Sequence, residues 1–233
     1  MTNLWLAALS ASDRARLAPV LETRAFDHGQ VLFREGQDVD AVWFPTTGVI
    51  SLMTLLDDDK RVETAVIGRE GVVGVTCGPL NARAASQAVA LLPGEAACCS
   101  ADAFSAAMDD SESLRLALAR FTEALMAQVQ QVAACNARHA LDERLARWLL
   151  SLHDRAGEAR FELTQADIAG MLGVRRATVS EVGGSLEDRG LIERGRGWVR
   201  VLDRNGLKAA ACGCYGQMRA VMDELDLRTP KAA

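Results

Sequence analysis

Arg176 and Glu181 stand five positions apart in the run Arg175-Arg176-Ala177-Thr178-Val179-Ser180-Glu181. A guanidinium can take guanine O6 and N7 bidentately, and a carboxylate can accept from the amino group of cytosine, so this pair has the chemistry to read base edges. Arg175, Thr178 and Ser180 add a second cation and two hydroxyls suited to bases or phosphates. Upstream, Thr164 and Gln165 offer further phosphate or base contacts, and downstream Arg194 and Arg196 offer cations for phosphate oxygens.

Such residues are useful only on an element that presents them together. The Thr164 hydroxyl can accept from the Asp167 amide, and the Asp167 carboxylate favours the positive end of a helix dipole, which fixes a helix start. Ile168, Met171 and Leu172 fall on one face, and Gly173 supplies the reversal. A second helix resumes at about Arg175 with Val179, Val182 and Leu186 inward, leaving Arg176, Ala177, Ser180 and Glu181 outward. Two short helices around a tight turn form a helix-turn-helix, in which the start of the second helix meets base edges. Residues 189–201 then read as strand, Gly/Arg tip and alternating strand, a cationic hairpin or wing. Gly183-Gly184 interrupts the second helix at a cost of about 1 kcal/mol per glycine. Close packing against a neighbouring helix, or a marginal helix that firms on DNA, would each account for it.

The first half of the chain has a different grammar. After an amphipathic helical opening over residues 1–23, short apolar or alternating runs occupy 31–34, 41–44, 49–56, 62–67 and 87–92. They are separated by glycine, aspartate and proline turns, which predicts a closed β structure. From Ser111 to about His139 neither Gly nor Pro occurs. Leu114, Leu118, Phe121, Leu125, Val132 and Cys135 repeat along that helix, interrupted by Gln128, either as a seam for a two-fold partner or as a face packed on the chain's own barrel. Residues 136–141 would be the hinge.

The 233 residues suffice for two domains, and the net charge of −5 is unevenly spread. Residues 1–110 hold about fifteen acids against about eight bases, whereas residues 160–208 hold about nine bases against seven acids. Neither a long apolar span nor an export signal is read, so the expected location is cytoplasmic, without a membrane partner. The six cysteines, 77, 98, 99, 135, 212 and 214, read as free thiols. Cys98 and Cys99 on a strand would face oppositely, and Cys212 and Cys214 on a helix would diverge, so no metal site is expected. Paired carboxylates with an orienting partner, a nucleophile elbow and a phosphate-loop lysine are all missing, which argues against an enzyme.

Together the GVRRATVS turn and helix, the LEDRGLI linker and the VLDRNGL exit, with the REGQ turn and GREGVVG segment upstream, resemble the Crp/Fnr family of bacterial regulators. The resemblance implies an α+β chain: a jelly-roll sensor over 1–110, a dimerisation helix over 111–139, a winged helix-turn-helix over 140–208 and a helical extension and tail over 209–233. It implies a homodimer bound to a near-palindromic double-stranded operator, with RNA polymerase as a further candidate partner. In cyclic-nucleotide binders of the family a Glu holds the ribose and an Arg followed by Ser or Thr holds the phosphate. The matching stretch here contains Gly74, Val75, Thr76, Arg83, Ala84, Ala85 and Ser86. Val75 takes the Glu position and Ala84 or Ala85 the Arg position, while Val129 and Gln130 replace the adenine-contacting hydroxyls. The pocket is therefore expected to be degenerate, with an effector other than cyclic AMP or none, and no cofactor. The N-terminal cysteines of an iron-sulfur regulator are missing. A thiol-responsive regulator acting through Cys77, and a ligand-binding or scaffold module without transcriptional output, are the alternatives.

Overall fold

The computed structural model describes residues 2–56, 60–75 and 83–224. Two short helices open the chain, α1 (Leu4–Ala8) and α2 (Ala11–Leu17), capped by Asn3 and Ser10. The Asn3 amide is buried and donates to the carbonyls of Pro45 and Gly71, fastening this segment to the barrel.

Seven strands follow: β1 (Glu22–Phe26), β2 (Val31–Phe33), β3 (Ala41–Pro45), β4 (Val49–Leu55), β5 (Arg61–Ile67), β6 (Gln87–Leu92) and β7 (Gly94–Ser100). They form two antiparallel sheets, in the orders β1-β7-β3 and β2-β6-β4-β5. An isolated bridge between Trp43 and Val73 adds to the first. Phe26, Phe44, Ile50, Leu52, Ile67, Ala88 and Cys98 fill the space between the sheets. β4 is buried on both faces: Ile50 and Leu52 face that core, while Val49 joins a second core built on the sheet's outer side. Burial on both sides explains its nearly unbroken apolar run. β1 (ETRAF) and β7 (GEAACCS) were not legible as strands, since one is largely exposed and the other carries small side chains.

Helix α3 (Ala101–Asp109) leads into the 27-residue α4 (Glu112–Arg138). The stripe read along α4 packs on its own chain: Leu114, Phe121 and Leu125 join the barrel core, with Leu118 beside them. Gln128, the apparent interruption, is buried and donates to the Val66 carbonyl on β5. A two-fold seam, if α4 has one, must use the opposite face. There Leu116, Ala119, Glu123, Met126, Gln130, Ala133 and Ala137 are exposed at alternating spacings of three and four.

Beyond α4 come α5 (Leu141–Ala156), β8 (Arg160–Phe161), α6 (Gln165–Leu172), α7 (Arg176–Asp188), β9 (Ile192–Gly195), β10 (Trp198–Val201), α8 (Arg204–Ala210) and α9 (Cys214–Glu224). The strands pair in the order β8-β10-β9. Leu145, Trp148, Leu149 and Leu152 of α5 centre the second core, which takes Leu172, Val179 and Leu186 from the helix-turn-helix and Val49, Val66, Leu91 and Leu92 from the barrel. One continuous apolar cluster therefore joins the two halves of the molecule. No helix among the described residues is long and apolar enough to cross a membrane.

Candidate nucleic-acid interface and sensor site

The start of α6 is held by a reciprocal cap. Thr164 Oγ1 accepts from the Asp167 amide at 3.1 Å, and Asp167 Oδ2 accepts from the Thr164 amide at 2.7 Å. Gly173 ends the helix at φ +65°, and its α-carbon lies so close to the barrel that a Cβ there would stand 3.0 Å from Val62 Cγ2. Arg175 then takes the N-cap of α7 without a side-chain hydrogen bond, so the first-turn amides have no side-chain cap. Val179 and Leu186 are buried, while Arg175, Arg176, Ala177, Ser180 and Glu181 are exposed and Thr178 is half-buried. Thr164 is exposed and Gln165 half-buried at the start of α6. Two guanidiniums at the positive end of a helix dipole make this end attractive to anions.

The two wing arginines differ in their surroundings. Arg194 is only 18% exposed and is spent internally. Its Nη2 donates to Glu187 Oε2 at 2.9 Å, its Nε to the same oxygen at 3.2 Å and its Nη1 to the Ser180 carbonyl at 3.0 Å. Side-chain and backbone donation from Arg194 holds the Glu187 carboxyl below its usual range. Arg194 therefore clamps the wing to α7. Gly183 is the reason it fits: a Cβ there would lie 2.5 Å from Arg194 Nη1. The first glycine is explained by close packing, against a wing arginine and not a neighbouring helix. Arg196 is exposed at the hairpin tip. Trp198 supports the hairpin from beneath, with Arg160 4.5 Å and Arg200 5.6 Å from its ring centre.

In the sensor half, Val75 and Val129 pack half-buried against the barrel core, and Ala84 is buried within it. The Ala84 amide and carbonyl pair with Gln37 and Gly36, which fixes the register. Alternation then turns Arg83 and Ala85 outward to exposed positions, with Ser86 half-buried. Gly74 has φ +94°, and a Cβ there would stand 2.6 Å from the Ala41 carbonyl oxygen. Gln130 is exposed on the far side of α4. The fold thus gathers Val75, Ala84 and Val129 and leaves Arg83, Ala85 and Gln130 apart. Thr76 and Cys77 lie outside the described residues.

Two family models match the chain, that of the cyclic nucleotide-binding domain over residues 23–111 and that of the Crp-like helix-turn-helix domain over residues 143–210. The chain belongs to the Crp/Fnr family. Relatives agree across most of its length. The transcriptional activator protein FnrA of Stutzerimonas stutzeri is 27% identical over 203 residues, spanning 82% of this chain and 80% of FnrA. The HTH-type transcriptional regulator Cmr of Mycobacterium tuberculosis is 28% identical over 218 residues, spanning 88% of this chain and 82% of Cmr. FixK2 of Bradyrhizobium japonicum shares the fold, with a TM-score of 0.71 at 20% identity over 83% of this chain and 98% of that one. This Crp/Fnr chain is a transcriptional regulator with a helix-turn-helix DNA-binding domain.

Two features of this Crp/Fnr protein escaped sequence reasoning. The first is a buried polar joint between barrel and DNA-binding domain. Glu63 of β5 accepts from Trp148 Nε1 at 2.7 Å and from Ser51 Oγ at 2.8 Å, and Ser51 Oγ also approaches Met171 Sδ of α6 at 3.5 Å. Burial pushes Glu63 up to about 7, against the lowering pull of those two hydrogen bonds and of the Arg147 and Arg155 charges. Nearby, Arg155 Nε donates to Glu70 Oε1 at 2.7 Å, tying α5 to the GREGVVG segment. The second feature is a cluster of possible metal-ligand atoms, where the sequence had given no metal site to expect. Cys212 lies in the turn before α9, not on the helix, so it does not diverge from Cys214. Both converge with Cys135 and His139, the four ligand atoms lying within 4.8 Å of one another. Cys135 and His139, four apart on one helix face, carried the only sequence signal.

Proposed function

We propose that the protein is a homodimeric regulator that reads a near-palindromic operator through α7, without cyclic AMP as effector. The observation that carries this reading is the exposed set Arg175, Arg176, Ser180 and Glu181 at the side-chain-uncapped start of a helix whose opposite face buries Val179 and Leu186. Thr164, Gln165, Thr178 and Arg196 flank it as backbone contacts. For the dimer, the support is the exposed α4 stripe from Leu116 to Ala137. Two copies joined there would set their recognition helices about 34 Å apart, one turn of DNA. RNA polymerase is the partner through which such a regulator would act.

Against cyclic AMP stand the side chains at the two positions that matter most. Val75, and Ala84 or Ala85, offer only methyl groups where a ribose hydroxyl and a phosphate would need a carboxylate and a guanidinium, and Arg83 is exposed beside the buried Ala84. A phosphate left without its cation forfeits charge-assisted bonds worth about 1.5–3 kcal/mol each.

The test is selection of binding sites from random and genomic DNA with the purified protein at physiological salt, with and without cyclic AMP. A two-fold symmetric motif, unchanged by the nucleotide and lost in Arg176→Ala/Glu181→Ala, is the expected result. A motif that emerges only with cyclic AMP would overturn the effector reading, and no enrichment under any condition would overturn the operator reading.

A further inference from the structure

Cys135 and His139 close the last turn of α4, and Cys212 and Cys214 bracket Gly213 at the start of α9. Cys135 Sγ and Cys212 Sγ are 3.5 Å apart, and Cys214 Sγ and His139 Nδ1 are also 3.5 Å apart. All three sulfurs are buried, and they form a small cluster separate from the two apolar cores.

Those separations match a single tetrahedral ion. With metal–sulfur bonds of about 2.3 Å and metal–nitrogen bonds of about 2.0 Å, tetrahedral angles set two sulfurs about 3.8 Å apart and sulfur and nitrogen about 3.5 Å apart. A multi-iron cluster would spread its thiolates more widely than these four atoms allow. Three cysteines and one histidine are also a closed structural set, with no position left for a substrate.

The surroundings suit the charge such a site would carry. Three thiols lose three protons as a divalent ion binds, and the resulting centre bears one net negative charge. Arg144, on the first turn of α5, is electrostatically coupled to Cys135 and Cys212. Its Nε is buried without a hydrogen-bond partner among the described residues, while its Nη2 donates to the Leu172 carbonyl at 2.7 Å. Gln131 Nε2 stands 2.9 Å from Cys214 Sγ, in place to donate to a thiolate.

We propose that Cys135, His139, Cys212 and Cys214 form a tetrahedral zinc site that pins α9 to the joint between α4 and α5. Through Arg144 and Leu172 its charge is felt at the end of α6, next to the turn that leads into the recognition helix. Zinc suits a thiolate-rich tetrahedral set better than magnesium or calcium, which take oxygen ligands.

The test is anaerobic titration of the reduced full-length protein with Co²⁺, followed by displacement with Zn²⁺. One Co²⁺ per chain, with thiolate charge-transfer absorption and strong tetrahedral d–d bands that Zn²⁺ abolishes, is expected. The bands persist in Cys98→Ala, whose thiol lies in the barrel, and vanish in Cys212→Ala/Cys214→Ala. His139→Asn keeps all three thiols and shifts the bands, which covers the case in which the double variant does not fold. A folded, reduced protein that takes up no Co²⁺, an uptake indifferent to these variants, or a Cys135–Cys212 disulfide in protein purified anaerobically would each overturn the proposal.

Discussion

Arg194 reaches back from the wing and lies across Gly183 of α7, in space that a Cβ would occupy 2.5 Å from its Nη1. That contact, with the bonds to Glu187 and Ser180, ties the wing to α7. Gly183→Ala gains about 1 kcal/mol of helix propensity and displaces the guanidinium from Glu187 and Ser180. Melting is expected to change by less than about 1 kcal/mol, because the partly exposed pair it disturbs is itself worth about that much. Operator affinity is expected to fall all the same, as the wing loses its orientation. Titration calorimetry beside a thermal melt would separate the two effects, and unchanged DNA affinity would refute the coupling.

Base-reading and phosphate-binding arginines should fail differently. Arg176→Ala should cost about 1–3 kcal/mol at the operator and relax preference at one base pair in each half-site. Arg196→Ala should weaken all sequences alike and reduce the slope of log affinity against log salt by about one. Fluorescence anisotropy on operator and scrambled duplexes, across a salt series, distinguishes these outcomes.

The faces of α4 should separate association from stability. Met126→Glu, on the exposed stripe, is expected to shift sedimentation toward monomer while leaving the barrel's melting intact. Phe121→Ala, at a fully buried position, should lower stability by about 3–5 kcal/mol. Dissociation caused by Phe121→Ala but not by Met126→Glu would return the seam to the stripe first read from the spacing.

Glu63 gives the interdomain joint a pH dependence. Its pKa in the closed arrangement is about 7, above the ordinary 4.5, so the closed form holds the proton more tightly. The contribution of Glu63 to the joint is therefore full below about pH 4.5 and is lost as pH rises through 7. Arg147 and Arg155 on α5, with Ser51 and Trp148, face the carboxyl and moderate the effect. Glu63→Gln can keep the bond from Trp148 and carries no charge, so its melting temperature should be flatter than wild type between pH 5 and 8 and higher at pH 8. Parallel curves for the two proteins would count against this account.

Much of this was legible in the chain because the signals were local. The Thr164–Asp167 cap, the Gly173 reversal and the outward Arg176 and Glu181 are fixed within a few residues, and the strands at 49–55 and 61–67 announced themselves by apolar content. What stayed hidden depends on partners distant in sequence. Leu114 and Phe121 read equally well as a dimer seam or a barrel face, since periodicity defines a face and not what covers it. Arg194 looked free because its acceptor, Glu187, belongs to another element. Cys212 and Cys214 seemed to diverge only under the assumption that both were helical, and the turn before α9 removes that assumption.

α9 is bound on two sides. Tyr215 Oη donates to Asp154 Oδ2 of α5 at 2.7 Å and accepts from Arg204 Nη2 of α8 at 2.8 Å, while Gln131 and Cys135 of α4 meet the cysteines at its start. Burial raises Asp154, but Arg204, Tyr215 and Arg219 outweigh it and hold the carboxylate charged. The chain thus passes the joint twice, once in sequence at Ala140 and once in space through α9. A single tether permits swivel about any direction; two tethers set side by side leave one axis. A turn of the DNA-binding domain about any other direction would break the contacts that the start of α9 makes with Gln131, Cys135 and His139 at the end of α4.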